Sequence, residues 1–440
     1  MGKDIQNESL IIVSEIMTSV DPIIKKLIEK KFEKQEEFIP GKSVISLIKP
    51  SFGPDEILES LDSLLTTNVT MGIKVKKFEK LFSKYLKSNF ASMVNSGSSA
   101  NLVALSALTN PEFSQKLKKQ SEVITPAVTW ATTVFPINNV NLKPKFVDID
   151  LENFCMKTDD LDDAVSSNTS LLLPVHLLGN VCDMSKIKEV STKKDLLIME
   201  DCCEAHGAEF KGQKVGTIGD IASFSFFLSH HITTIEGGMV VTNNESLYEL
   251  SKAIRAFGWI RDLKHKDELT KKYPKVDPRF MFTNTGYNLR PTEIQGAFGI
   301  HQIKKLDKFI KIRNENRRYC TKRFLQYEDY FIITKEDPRT KSVDFCYPLT
   351  IKKKSPFSRE SLLKYLQKKK IETRPIMSGN FLEQPAIKYI SHAKHGKLDN
   401  SKLAMKNSFF FGNHHEIGRK ECEYVVDVIA QFIERKLWKK

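Results

Sequence analysis

The sequence predicts an α/β protein in which helices cover both faces of a mostly parallel sheet. Between about residues 90 and 245, short apolar runs such as EVITP, SLLLPVH and LLIMED alternate with helical or loop segments. Runs this short and this apolar are typical of parallel strands that are buried on both sides. Several of them end on Asn, Asp or His, and open α/β sheets bind ligands at the carboxyl ends of their strands.

Three segments are predicted along the 440 residues, a length that suggests two or three domains. Residues 1–45 mix Ile, Leu, Lys and Glu at helical spacing, so we expect a helical N-terminal extension that is broken at Pro22. Residues 46–300 contain the strand-like runs and form the large domain. A long amphipathic helix and mixed pieces in residues 301–440 predict a smaller α+β domain.

Charge and composition narrow the class of protein. The 68 Lys and Arg against 54 Asp and Glu give a net charge of +14, which suggests an anionic partner without naming it. No stretch approaches the roughly 18 apolar residues of a membrane-spanning helix, and the start MGKDIQNES has no secretory pattern. Seven scattered cysteines without C-x-x-C favour reduced thiols and a cytoplasmic location over disulfides or a zinc site.

The first site-like segment, Asn95 to Ser99 (NSGSS), lies between a predicted strand and a predicted helix. Gly97 allows a tight turn, and Ser98 and Ser99 offer hydroxyls and amides where the helix dipole favours a phosphate. An ordinary serine cap of the helix is the alternative.

The second segment, LLIMEDCCEAHG, places Glu200 and Asp201 at the end of an apolar strand. A carboxylate there is costly to bury unless it meets a cation or a strong donor, and a protonated heterocyclic nitrogen would serve. A helix cap or an internal salt bridge is the alternative.

The third segment, SFSFFLSHHITTIEGG, contains Ser225, His230 and His231. Adjacent side chains of an extended chain point in opposite directions, so we do not expect the two histidines to share a metal ion. A histidine near its ordinary pKa is a natural general base.

Taken together and in order, these segments resemble the DegT/StrS family of pyridoxal-phosphate sugar aminotransferases, which has the aspartate aminotransferase fold. The resemblance extends over nearly the whole chain through TPAVTWATT, PVHLLGN, GYNLRPTEIQGAFG and other segments. It implies PLP-dependent transferase fold type I, with a mostly parallel seven-stranded sheet in the large domain and a smaller α+β C-terminal domain. It also implies a homodimer with shared active sites.

The resemblance assigns the residues around the cofactor phosphate. Gly97, Ser98, Ser99 and Ser225 would hold this phosphate, and Asn288 would reach it from a second subunit.

The resemblance also assigns three residues to the cofactor ring. Trp130 would stack on the pyridine ring, and Asp201 would face its nitrogen and keep it protonated, which makes the ring an electron sink. Glu204 stands where aminotransferases usually have a Gln near the ring hydroxyl; a surface helix residue is the alternative.

The sequence departs from the aminotransferase pattern at His230, where the family has its Schiff-base lysine. No lysine lies between Lys214 and Lys252, so a neighbouring amine cannot replace it. A histidine here is the hallmark of the 3-dehydratases that act on nucleotide-linked 4-keto-6-deoxyhexoses. In those enzymes pyridoxamine phosphate condenses with the sugar ketone, the histidine removes a proton, and the C3 hydroxyl leaves.

Cysteine positions separate the two known types of these dehydratases. One type binds a two-iron cluster through a C-x-C motif, but residues 204–319 contain no cysteine, so we expect neither this iron–sulfur cluster nor another metal. The cluster-free type of the colitose pathway, a route to surface polysaccharides such as lipopolysaccharide O-antigen, is the better match. It acts on GDP-4-keto-6-deoxymannose and recharges its cofactor with L-glutamate.

Basic residues near these motifs are candidates for contacting the nucleotide sugar or the carboxylate of the amino donor. Any of the arginines could equally be a surface or interface residue. The candidates are His231, Arg255, Arg261, Arg290 and Arg374.

Two other functions stay open at this point. The protein could be an aminotransferase that acts on a different 4-keto sugar. It could also be a non-catalytic scaffold or nucleic-acid binder that uses its positive charge, but a degenerate fold has no reason to keep Asp201, Ser225 and Asn288 together. The basic residues are also scattered along helices, as on a solvated face, so we expect binding to neither nucleic acid nor membrane.

Overall fold

The computed structural model describes residues 20–33 and 37–438. Its centre is an eight-stranded sheet with the strand order β1-β9-β8-β5-β4-β2-β3-β14. These strands are Phe90–Val94 (β1), Glu122–Pro126 (β2), Lys143–Val147 (β3), Thr169–Leu172 (β4), Leu197–Asp201 (β5), Ile221–Ser225 (β8), Gly238–Thr242 (β9) and Ala393–Lys394 (β14). The strands from β14 across to β8 pair in parallel, whereas β9 is antiparallel to both of its neighbours.

Helices surround this sheet, and their ends follow local sequence signals. A capping box between Thr292 and Gln295 starts one of them, and the side chain of Asn244 caps another. The helices up to residue 302 are Pro22–Phe32 (α1), Pro54–Leu65 (α2), Ile73–Leu86 (α3), Gly97–Leu108 (α4), Ala131–Asn139 (α5), Leu161–Ala164 (α6), Met184–Lys194 (α7), Glu245–Ile254 (α8), Lys266–Lys272 (α9) and Glu293–Gln302 (α10).

Two apolar cores lie on the two faces of the large sheet. Neighbouring residues of one strand alternate between them: Ile198 belongs to the core with Phe82 and Phe224, and Met199 belongs to the core with Val94 and Leu171. This alternation explains why the strands are apolar on both sides, as the sequence predicts.

The C-terminal part forms a second, antiparallel sheet with the order β10-β12-β15-β13. Its strands are Phe331–Ile333 (β10), Cys346–Ile351 (β12), Thr373–Pro375 (β13) and Ser408–Gly412 (β15), and the helices of this part are Leu306–Phe324 (α11), Arg359–Lys368 (α12), Asp399–Asn407 (α13) and Arg419–Leu437 (α14). A small third sheet joins Glu209–Phe210 (β6), Gln213–Lys214 (β7) and Thr340–Lys341 (β11). The C-terminal sheet has its own core, which includes Phe324, Tyr347 and Phe409.

The structure differs from the predicted organisation in two places. Part of the predicted small domain returns to the large sheet, because β14 pairs with β3 and Phe381 packs beside Phe146. This return adds an eighth strand to the seven predicted. In the N-terminal extension, helix α1 starts at Pro22 and ends at Phe32, and residues 37–45 form no helix. Residues 1–19 and 34–36 lie outside the described residues, so the break at Pro22 stays a prediction. The division into a large and a small domain stays a prediction.

None of the helices in the described residues has both the length and the apolar character needed to cross a bilayer.

Candidate active site

The predicted phosphate residues meet at the carboxyl edge of the large sheet. Gly97 begins α4 directly after β1, and Ser225 ends β8. A Cβ atom on Gly97 would lie 2.3 Å from the Cβ of Ser225, so only glycine allows this close approach. The start of α4, with Ser98 exposed beside it, therefore forms with Ser225 a polar cradle suited to an anion.

Ser96, which precedes the residues predicted to bind the phosphate, is the N-cap of α4. Its hydroxyl accepts a hydrogen bond from the backbone N–H of Ser99 at 3.1 Å. The Ser99 hydroxyl in turn donates to Oδ1 of Asn95 at 2.6 Å. Ser99 is thus partly occupied by structural bonds, whereas Ser98 is exposed.

Asp201 is a buried carboxylate at the end of β5, the strand next to β8. Its Oδ2 accepts hydrogen bonds from Thr133 Oγ1 at 2.8 Å and Asn101 Nδ2 at 3.1 Å. Its Oδ1 accepts one from the Cys203 N–H at 3.2 Å, and no Lys or Arg of the described residues forms an ion pair with it. A carboxylate offers about four acceptor positions, so Asp201 can accept a further, cationic N–H. This fits a protonated pyridine nitrogen.

Glu200, its neighbour, has a structural task. Its oxygens accept hydrogen bonds from the backbone N–H groups of Gly216, Ile218 and Gly219, and it also pairs with His176. Potential metal-ligand atoms of Cys202, Glu200 and His176 lie within 4.8 Å of one another, a spacing that could hold a metal ion. Because the carboxylate is already satisfied, we interpret this buried cluster as the anchor of the loop at residues 216–219.

Glu204 is partly buried and carries a strongly perturbed carboxyl group. Oε2 accepts a hydrogen bond from the Leu178 N–H at 2.7 Å. Burial raises the pKa of Glu204 to about 8, with a contribution from the negative charge of Asp201. The carboxyl is therefore protonated at neutral pH and can donate a hydrogen bond, as the amide of a Gln would.

The raised pKa makes stability depend on pH. Between pH 4.5 and about 8 the unfolded chain has lost this proton while the folded chain keeps it, so the free energy of unfolding falls as pH rises. Glu204→Gln removes this fall. We expect the variant to gain about 4 kcal/mol relative to the parent between pH 5 and pH 8.5. Urea unfolding at both pH values measures the gain; an equal difference at both would contradict the assignment.

Trp130 lies beside the carboxyl end of β2 and immediately precedes α5. Its side chain is 58% exposed, which is unusual for an indole next to a buried strand. The preceding residue, Thr129, accepts a hydrogen bond at its carbonyl from the hydroxyl of Ser378. The C-terminal segment that contains Ser378 therefore lies next to Trp130. The exposed indole offers an accessible face for stacking.

His230 lies in the turn that follows β8, five residues after Ser225. It is partly exposed, and no residue of the described chain bonds to its buried Nδ1. Burial, together with the positive charge of Arg313, lowers the pKa of His230 to about 3. The imidazole is therefore neutral at physiological pH and can accept a proton.

His231, the neighbour of His230, is held inside the protein by a backbone contact. Its side chain is fully buried, and its Nε2 donates to the carbonyl of Val343 at 2.9 Å. The backbone bends at residues 230–232, so both imidazoles pack near His206 instead of pointing in opposite directions. We therefore interpret His231 as a structural residue, and its predicted contact with the substrate stays a prediction.

Arg255 is also a structural residue. It is 4% exposed, its Nη1 forms an ion pair with Glu79 at 2.6 Å, and it donates to the carbonyl of Met93. Because both partners lie inside the protein, we interpret this guanidinium as structural, and its predicted substrate role stays a prediction.

The other predicted basic residues lie on the surface. Arg261 and Arg290 line one cleft together with Trp259, and their guanidinium groups lie over the rings of Trp259 and Phe257. Arg374 is exposed on β13, and no contact joins it to this cleft in the described residues.

Asn288 is exposed, and its Oδ1 accepts a hydrogen bond from Nε of Arg290 at 3.1 Å. The carbonyl of the next residue, Leu289, accepts from the Asn95 N–H at 3.0 Å. Asn288 therefore lies close to the segment Asn95 to Ser99 of its own chain, and its side chain is exposed.

The profile of the DegT/DnrJ/EryC1/StrS aminotransferase family matches residues 52–430. The chain belongs to this family. It is 38% identical over 377 residues to the GDP-4-keto-6-deoxy-D-mannose 3-dehydratase of Escherichia coli O55:H7, a match that covers 84% of this chain and 96% of the relative. It is 39% identical to the protein of the same name from Yersinia pseudotuberculosis, with 81% and 91% covered.

Solved structures agree with these relatives. The E. coli GDP-4-keto-6-deoxy-D-mannose 3-dehydratase with bound hydrated PLP superimposes with a TM-score of 0.83 at 37% identity, covering 88% of this chain and 99% of that one. A structure of GDP-4-keto-6-deoxymannose 3-dehydratase with a trapped PLP-glutamate geminal diamine gives 0.82 at 37% identity, with 87% and 99% covered. The predicted family, its fold type and its dehydratase subgroup are confirmed.

The sequence does not predict the residues that hold Asp201 or that act on His230. Thr133 lies within the motif TPAVTWATT, and Asn101 lies two residues after NSGSS. Both bond to Asp201, but no spacing in the sequence links them to that carboxylate. Arg313 carries no sequence signal beyond its place in a basic helix.

Proposed function

We propose that this protein is a PLP- and PMP-dependent 3-dehydratase that removes the C3 hydroxyl of a nucleotide-linked 4-keto-6-deoxyhexose. The observation that carries the proposal is His230, a neutral imidazole at the position of the family's lysine. The relatives named as GDP-4-keto-6-deoxy-D-mannose 3-dehydratases make the GDP-linked mannose derivative the first substrate to test.

The described residues fit the cofactor. The Gly97 and Ser225 cradle with Ser98 would hold its phosphate, Asp201 would bond its ring nitrogen, and Trp130 would cover the ring. Pyridoxamine phosphate, when bound, supplies an amine for the sugar ketone and a ring that accepts the electrons of a broken C–H bond.

The remaining chemistry falls to side chains of this chain. His230 would accept the proton that must leave before the C3 hydroxyl departs, because its imidazole is uncharged and has a free nitrogen lone pair. A protonated Glu204 would donate a hydrogen bond to the ring oxygen. With no amine at position 230, the chain cannot hold the cofactor covalently there, which favours elimination over complete amino transfer.

L-Glutamate is the proposed donor that recharges the cofactor, and the relative with a trapped PLP-glutamate adduct supports this choice. Arg261, Arg290 and Arg374 stay proposed contacts to the donor carboxylate or the diphosphate.

A homodimer is proposed as the working form. The segment around Asn288 exposes large apolar side chains, with Phe280 67% and Phe282 54% accessible. Such surfaces are typical of subunit interfaces. We expect sedimentation to give about twice the chain mass of 50.3 kDa. A cytoplasmic location stays a prediction.

The test of the function is product analysis. We expect the protein with PLP, L-glutamate and GDP-4-keto-6-deoxymannose to release ammonia and yield a 3-deoxy sugar nucleotide. Parallel reactions with CDP-, UDP- and dTDP-linked 4-keto sugars measure nucleotide selectivity. An amino sugar without ammonia release would instead support an aminotransferase.

Relatives named as GDP-perosamine synthases support the aminotransferase alternative. The GDP-perosamine synthase of Escherichia coli O157:H7 is 32% identical, with 76% of this chain and 84% of that protein covered. The absence of any lysine between Lys214 and Lys252 argues against this alternative.

A further inference from the structure

A three-residue strap, Val343 to Phe345, lies against the two active-site histidines. The carbonyl of Val343 accepts the hydrogen bond from Nε2 of His231 at 2.9 Å. The ring centroid of Phe345 lies 5.6 Å from that of His230 and 6.0 Å from that of His231. The strap therefore forms one wall around the proposed base.

Polar bonds from the C-terminal part hold the strap in place. Asp344 is buried in a left-handed conformation with φ of 45°, and its side chain forms an ion pair with Arg317. Nδ2 of Asn413 donates to the Asp344 carbonyl at 3.0 Å. Nη1 of Arg313 donates to the Phe345 carbonyl at 2.7 Å. These bonds fix a backbone conformation that a non-glycine residue rarely adopts alone.

Arg313 differs from Arg317, which lies one turn further along α11. Both are buried, but Arg313 donates only to the carbonyls of Phe345 and Asn413, and no carboxylate of residues 20–33 and 37–438 pairs with it. Its Nε also has no partner there.

A buried charge without a contacting counter-ion acts strongly on its neighbours. The charge of Arg313 contributes to the lowered pKa of five histidines: His206, His230, His231, His414 and His415.

We propose that Arg313 is the positioning residue of His230, because it fixes the carbonyl of Phe345, whose ring packs against the His230 imidazole. Its buried positive charge adds to the effect of burial, which is the larger cause of the lowered pKa of His230. The inference rests on the proposed role of His230 as the base. The other titratable groups that face His230 are His206 and His231, and both are held neutral by burial. Arg313 is thus the cation that acts on this imidazole among the described residues.

Chemical labelling tests the inference without substrate. Diethyl pyrocarbonate acylates neutral imidazoles, so its rate on the His230 peptide of the full chain, followed by mass spectrometry from pH 4.5 to 8, reports the protonation of His230. We expect the parent protein to stay reactive down to pH 5. In Arg313→Met the midpoint should rise, while burial, the larger cause, still holds it below the ordinary value near 6.5, so we expect the rate at pH 5 relative to pH 8 to fall about twofold or more.

Three variants separate charge, ring contact and general stability. Arg313→Lys keeps the charge and should keep the midpoint of the parent. Arg317→Met also removes a buried guanidinium from α11 but should leave the midpoint unchanged. Phe345→Leu keeps the charge and removes the ring, so we expect an unchanged midpoint and a kcat about tenfold lower at constant KM.

An unchanged midpoint in Arg313→Met, or an equal shift in Arg317→Met, would overturn the inference. If Arg313→Met does not fold, Arg313→Lys and Phe345→Leu decide: a shifted midpoint in the first or an unchanged kcat in the second would overturn it. Because the labelling uses neither cofactor nor sugar, its outcome is independent of whether the protein proves to be a dehydratase.

Discussion

Replacing His230 with Asn should reduce the rate of dehydration by about 10²- to 10⁴-fold, the usual contribution of a general base. Asn has a similar volume, but it cannot take up a proton. The residues proposed to hold the cofactor, such as Ser225 and Asp201, keep their contacts, so PLP affinity should change little. Single-turnover measurements of sugar consumption give the rate, and a fluorescence titration with PLP gives the affinity.

The matched control is His231→Gln, one residue away. Gln can preserve the hydrogen bond to the Val343 carbonyl, so we expect its rate to fall less than about tenfold. Equal losses in the two variants would show that neither imidazole acts as the base.

Asp201→Asn should have the second largest effect. The variant removes the negative charge that would keep the ring nitrogen protonated, while its amide keeps nearly the same size. Loss of a charge-assisted hydrogen bond of about 1.5–3 kcal/mol predicts a rate about 10- to 150-fold lower, measured in the same single-turnover assay.

Thr133→Val is the control for this carboxylate. It removes the neutral donor to Oδ2 of Asp201 but leaves the charge, so we expect a loss of only a few-fold. A rate in Asp201→Asn equal to that of the parent would contradict the proposed contact between Asp201 and the ring nitrogen.

Much of the fold follows from local sequence. The strands of the large sheet are apolar runs with turn residues at their ends, and such patterns predict strands without knowledge of their neighbours. The sequence does not predict strand β14, because Ala393 and Lys394 form no apolar run. They pair with β3 only because the chain returns to the large sheet from the C-terminal part.

Contiguous motifs predict residues that the structure brings close together, as at Gly97 and Ser225. Local sequence gives no information where the contacts of a side chain depend on a distant partner. Arg255 looks like an anion-binding residue in the sequence, but its partner Glu79 lies 176 positions earlier. The influence of Arg313 on His230 likewise depends on burial and on packing between remote segments, neither of which has a local pattern.

The central claim is that a histidine replaces the amine that would hold the cofactor covalently. Borohydride reduction after incubation with PLP, followed by removal of free cofactor and mass analysis of the peptide around position 230, tests it directly. We expect an unmodified peptide in the parent protein and a stable mass increase of one reduced cofactor in His230→Lys. A specific, stoichiometric cofactor adduct on the parent chain would contradict it.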